Sequence, residues 1–117
     1  MIGPKVRLSY GTARGLTING VHIFKGIPYA APPVGDARWR APAPPLPWTG
    51  ERMAGEFGAS AMQGSLGAMG EMIGIAATPT DENCLTLNVW TREVTDEEYP
   101  VMVWIHGGGN VVGSSAQ

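Results

Sequence analysis

The sequence predicts an α/β protein that opens with an antiparallel β-hairpin and leads into the first strands of a central sheet. Three observations carry this expectation. Asn19-Gly20 separates two apolar runs, "LTI" and "VHIF", and Asn-Gly accepts the positive φ values that a tight hairpin turn requires. Seven of the ten prolines fall between Pro28 and Pro47. Such a segment forms neither a helix nor a central strand, because proline lacks the N–H and fixes φ. Lastly, "VMVWI" at 101–105 is apolar without alternation, the pattern of a strand buried on both faces in a sheet that helices cover.

Taken in order, "KVRLSY" alternates as a strand, "GTARG" reads as a turn, and "LTINGVHIF" supplies the hairpin. The proline-rich segment then forms an extended strap, with Trp39 and Trp48 as its expected anchors. From Met53 to Thr80 no period is sustained, as in a surface loop with at most one short helix. The functional alternative for that stretch is a flap, in which Met62, Met69 and Met72 adapt to apolar ligands. "CLTLNVWT" is β-rich, with Leu85, Leu87 and Val89 on one face, and the acidic "TREVTDEEYP" reads as a solvated connection. Residues 1–117 are expected to form part of a single domain. They contain no convincing helix to cover 101–105, so the architecture is expected to be incomplete as given.

Composition removes several function classes. Ten acidic and eight basic side chains leave a net charge of −2, without the basic stripe that nucleic-acid binding needs. No apolar run approaches the roughly 20 residues of a membrane span. The N-terminus has early cations but no apolar stretch behind them, so no secretory signal is expected. Cys84 is the only cysteine, and His22 and His106 stand far from it and from each other. A disulfide framework and a metal site are therefore not expected, nor is any cofactor. A cytoplasmic location follows as an expectation.

Three glycines directly after a buried strand allow a sharp turn and leave backbone N–H groups accessible. Phosphate cradling is one use of such a loop, and Gly108 to Gly113 has the outer spacing of a P-loop. Ser114 stands where the phosphate-binding lysine should be, so that reading fails on its main charge. An oxyanion hole is the other use: backbone donors aimed at the negative oxygen of a tetrahedral intermediate in acyl transfer.

Beyond the HGGG loop, "FKGIPYAAPPVGDARWRAPAPPLPWTG", "FG", a glutamine, "ENCLTLNVWT" and "PVMVWIHGGG" follow one another. In this order they resemble the type-B carboxylesterases, the α/β-hydrolase family that includes the cholinesterases. The resemblance covers essentially the whole chain but only the opening fraction of a family member. It implies a serine esterase acting on small-molecule carboxylic esters. Gly108 and Gly109 match the oxyanion donors, with a third donor from the residue after the nucleophile, and Gly107 matches the glycine that permits the turn. His106 matches the loop's leading position, as a loop-orienting or packing residue and not the catalytic base. Arg38 and Glu82 match a structural salt bridge tying the strap to the "ENCL" segment, costly to break if buried.

The sequence departs from the family in several places. Asn83 replaces the usual aspartate, which loses a carboxylate. Ala61 stands where many members have a cysteine that pairs with the one at Cys84, so the thiol is expected to stay reduced, as in the bacterial branch. Asn110 takes the place of a bulky aromatic after the glycines. Above all, Ser9, Ser60, Ser65, Ser114 and Ser115 lie outside any G-x-S-x-G elbow, so nucleophile, base and acid are absent from these residues. Cys84 lies within a predicted strand with no histidine near in sequence, a poor alternative nucleophile. The chain by itself is expected to be inactive, and unstable or prone to aggregate, lacking the remainder of its own domain. The alternative from another class is a non-catalytic β-rich binding module, or a truncated remnant of the family.

Overall fold

The structure, a computed structural model, describes residues 1–64, 67–72 and 78–116. Three strands follow one another as a meander: β1 (Ile2–Leu8), β2 (Gly11–Ile18) and β3 (Val21–Pro28). After the strap come β4 (Glu51–Met53), a short helix α1 (Gly67–Met72) and β5 (Thr86–Thr91). The sheet runs β1-β2-β3-β5, and β4 adds to β2. β1 takes one edge of β2. On the other edge, β3 pairs antiparallel with Leu16–Ile18 while β4 pairs parallel with Thr12–Arg14.

Local chemistry explains the turns. Asn19 and Gly20 adopt φ values of 50° and 77°, so the hairpin sits where Asn-Gly places it. The "GTARG" stretch is not a turn: it begins β2, and the chain reverses at Ser9-Tyr10 instead. Ala13 explains the difference, because it is buried in the core with Phe24 and Ala54, which only a strand through this stretch allows. Val6, Leu8 and Ile27 pack on that small cluster. Ala54 also ties β2 to β3, donating to the Arg14 carbonyl at 2.8 Å and accepting from the Lys25 amide at 2.8 Å.

The strap crosses from β3 to β4 and is anchored by one of its two tryptophans. Trp48 donates from its backbone to the Tyr10 carbonyl and from its indole to the Thr12 carbonyl, both at 2.9 Å. Trp39 is no anchor: it is 98% exposed, at φ 62°. Its neighbours account for this, since Arg38 is held by Glu82 and the Arg40 side chain by the Asp36 carbonyl.

Residues 101–105 also differ from expectation. They run without a ladder partner and are between 78% and 89% exposed. A doubly buried strand needs a neighbour on each side, and the described residues supply none, because β5 pairs with β3. Leu87 and Val89 on β5 likewise face outward, 38% and 42% exposed. Of the loop methionines, Met62 and Met72 are exposed. Ser65 and residues 73–77, which the flap reading includes, lie outside the described residues. Among those described, no helix is long and apolar enough to cross a membrane.

A bulge interrupts β3 between Phe24 and Ile27, and Gly26 occupies it at φ 65°. A Cβ there would lie 2.8 Å from the Glu56 carbonyl oxygen. Gly26→Ala should therefore lower stability by about 1–3 kcal/mol, from left-handed strain plus the backbone contact. An unchanged urea midpoint would contradict this.

Glu51 bridges Arg14 and Lys5 across β4, β2 and β1, the Lys5 contact being 2.7 Å. The hydrogen bond from Arg14, then that from Lys5, holds the Glu51 carboxyl down to about 2, from 4.5. The depressed value means that its support is present above about pH 4.5 and is lost as pH falls towards about 2. Across that window the urea midpoint should fall less steeply in Glu51→Gln than in the unsubstituted chain. Equal slopes would refute the assignment.

Candidate functional site

The glycine loop begins where the exposed run ends. His106 lies beside Gly107, with its Nδ1 2.8 Å from the Gly107 carbonyl oxygen, so Nδ1–H is the donor. Next, the Gly108 carbonyl accepts from the Val111 and Val112 amides at 3.1 and 3.2 Å. In a trans peptide the C=O and the following N–H point in opposite directions. Gly107 and Gly108 turn their carbonyls onto groups of the loop itself. The Gly108 and Gly109 N–H groups therefore point away from those contacts, and neither has a protein acceptor among the described residues.

Sequence explains why the loop can do this. Gly108, Gly109 and Gly113 have φ of 130°, 62° and 112°. A Cβ on Gly108 would fall on the Val112 carbonyl, and one on Gly113 would sit 2.6 Å from the His106 ring. The loop crosses itself at these two glycines. Asn110 sits at φ 60° and is exposed. Asparagine is among the few side chains that tolerate this conformation, so its identity has a turn-forming cause as well as any effect on a cleft.

The remaining sequence-derived residues lie elsewhere. Arg38 and Glu82 meet at 2.7 Å, about half exposed at 52% and 40%. Glu82 precedes β5, so the pair ties the strap to the approach to that strand. Exposure removes the large cost attached to a buried pair. The Arg38 guanidinium is pushed up from its ordinary value by the hydrogen bond with Glu82. The Asn83 amide donates to the Asp81 carboxylate at 2.7 Å. Asn83 also lines a cavity of about 440 Å³ with Lys25, Phe57 and Thr86, to which the glycine loop contributes nothing.

No described serine hydroxyl meets an imidazole. Ser60 is buried against the Thr78 hydroxyl, Ser114 accepts from the Ala116 amide, and Ser115 accepts from Asn88. His22 pairs with the Thr17 hydroxyl across the hairpin at 2.9 Å. Among the described residues, no group of three His, Cys, Asp or Glu side chains could hold a metal ion.

Two residues without an assigned sequence role approach the loop. Gln63 accepts from the Gly113 amide at 2.8 Å and donates to the Gly113 carbonyl at 3.0 Å. Asn88 accepts from the Gly26 amide at 3.0 Å and donates to the Ser115 carbonyl at 3.1 Å. The glutamine belongs to the motif order and the asparagine to "ENCLTLNVWT", but neither motif indicates what the amide touches.

The fold of this chain is similar to part of several solved ester hydrolases. A thermophilic pNB esterase superposes with a TM-score of 0.84 at 40% identity, covering 96% of this chain and 23% of its own. The Geobacillus stearothermophilus carboxylesterase gives 0.81 at 39% identity, covering 96% and 21%. Among sequences, the phenmedipham hydrolase of Pseudarthrobacter oxydans is 45% identical over 112 residues, covering 95% of this chain and 23% of the relative. The para-nitrobenzyl esterase of Bacillus subtilis is 39% identical over 115 residues, covering 96% and 22%. The model described as "Carboxylesterase family" matches residues 3–117. The chain belongs to the carboxylesterase family, whose members are serine hydrolases of carboxylic esters, and spans under a quarter of the length of these relatives.

Cys84 is partly buried, which pushes its thiol up, and the Asp81 carboxylate adds to the effect. A raised thiol holds less thiolate and reacts slowly. Iodoacetamide near neutral pH should alkylate Cys84 at least about threefold more slowly in the folded chain than in urea. Equal or faster alkylation when folded would restore Cys84 as a candidate nucleophile.

Proposed function

We propose that residues 1–117 are the N-terminal part of one α/β-hydrolase domain in a longer carboxylic ester hydrolase. In it, Gly108 and Gly109 donate their N–H groups to the oxyanion. The observation that carries this is the orientation of those two amides, each opposed to a carbonyl engaged inside the loop. A serine in the remainder of the domain attacks the ester carbonyl, and its own downstream neighbour gives the third donor. The developing negative oxygen is stabilised where the amides point, and water then releases the acyl group. Gly107 permits the turn, and His106 holds the loop through the Gly107 carbonyl without acting as base.

The natural substrate is a small-molecule carboxylic ester, with no nucleic-acid partner and no cofactor. A free thiol at Cys84, with Ala61 where a disulfide partner would stand, supports a reducing, cytoplasmic setting. The exposed run at 101–105 counts against a stand-alone binding module, which would have to keep that surface in water.

A hybrid tests the reading directly. Residues 1–117 replace the matching segment of the Bacillus subtilis para-nitrobenzyl esterase. The hybrid should hydrolyse a p-nitrophenyl ester and be blocked by a fluorophosphonate, whereas the 117-residue chain alone shows neither turnover nor labelling. In the hybrid, Gly109→Ala should lower kcat by about 10²–10³, as loss of an oxyanion donor does. A folded but inactive hybrid, or labelling of the isolated chain, would refute the proposal.

A further inference from the structure

We propose that Gln63 and Asn88 are positioning residues for the oxyanion loop, acting through the chain at its C-terminal end and not by touching substrate. This rests on the oxyanion role proposed for Gly108 and Gly109. The Gln63 amide bonds both backbone groups of one residue, the N–H of Gly113 at 2.8 Å and its carbonyl at 3.0 Å. A primary amide has one acceptor end and one donor end, so this pairing copies a β-ladder rung and restrains the orientation of the Gly113 backbone. Asn88 divides its two ends differently. Its oxygen accepts from Gly26, whose N–H the bulge in β3 releases from the ladder, and its nitrogen holds Ser115 through carbonyl and hydroxyl at 3.1 and 3.2 Å.

The restraint reaches the donors through close backbone contact. Gly113 lies against Gly107 and His106, where an added Cβ would be 2.4 Å from the Gly107 carbonyl oxygen. Val112, next to Gly113, donates to the Gly108 carbonyl. Fixing Gly113 therefore fixes the two carbonyls opposed to the Gly108 and Gly109 N–H groups. Within residues 1–117, apolar packing contributes little on the approach side, since 101–105 is exposed there. Asn88 on β5 joins the loop to the sheet, and Gln63 joins it to the segment before α1.

Two measurements test the proposal. In the hybrid esterase, Gln63→Ala should speed hydrogen exchange of the Gly113 and Val112 amides by about tenfold or more, while the Lys25 and Ala54 amides keep their rates. Unchanged exchange at Gly113, or equal acceleration at Lys25 and Ala54, would overturn it, the latter showing a residue that merely supports the fold. In the hybrid esterase, with active sites counted by fluorophosphonate titration, Gln63→Ala and Asn88→Ala should each lower kcat per site by about tenfold. KM should stay within about twofold, as expected when only transition-state stabilisation is lost. An unchanged kcat per site, with fewer sites titrated, would also overturn the proposal. An unsubstituted hybrid that folds without activity counts against the oxyanion reading, and exchange at Gly113 then still decides whether Gln63 holds the loop.

Discussion

Hydrogen bonds between Gln63 and Gly113 and between Asn88 and Ser115 hold the glycine loop to the segment before α1 and to β5. The buried cluster is three residues, Ala13, Phe24 and Ala54, with Val6, Leu8 and Ile27 at its fringe. So small a core cannot order a distant loop by burial alone. Side-chain amides can, because each hydrogen bond is specific in direction. Gly26 serves the same end from within the sheet. By taking a left-handed conformation it breaks the ladder and releases an N–H for Asn88.

Part of the apolar surface that this chain does not cover lies on one segment and one strand. Residues 101–105 are almost fully exposed, and Leu87 and Val89 face outward from β5. Contiguous apolar surface next to an unpaired strand edge is a template for association. The relatives are more than four times longer than the matched segment, which leaves ample chain to pair with 101–105 in a longer protein. Fold and site therefore have different dependencies. The meander and strap are closed by their own contacts, whereas the loop's approach waits for neighbours that these residues do not supply.

Much of this was legible in the sequence, and the failures have physical causes. Asn19-Gly20 placed the hairpin because the signal is local and the turn's φ values demand it. The proline run placed the strap, and HGGG with its motif order gave the family. "GTARG" misled because its glycines suggested a turn, while Ala13, small enough for the core, required a strand. Trp39 misled because bulk predicts an anchor, yet the contacts of its neighbours Arg38 and Arg40 turn it outward. β4 is three exposed residues with no periodicity, paired in parallel to β2 in the register Thr12–Glu51 to Arg14–Met53. The "VMVWI" pattern is that of a doubly buried strand, but a pattern does not provide partners. Gln63 and Asn88 were illegible because an amide bonding to backbone 50 or 27 residues away has no local signature.

The central claim is that the side-chain amides of Gln63 and Asn88 hold the glycine loop through Gly113 and Ser115. Nuclear Overhauser contacts from the Gln63 side-chain amide protons in the hybrid esterase, with residues 1–117 isotopically labelled, test it most directly. Strong contacts to the Gly113 amide and α protons are the predicted result. Absence of the Gln63–Gly113 contacts while the Ala54–Lys25 contacts of the sheet persist would contradict the account.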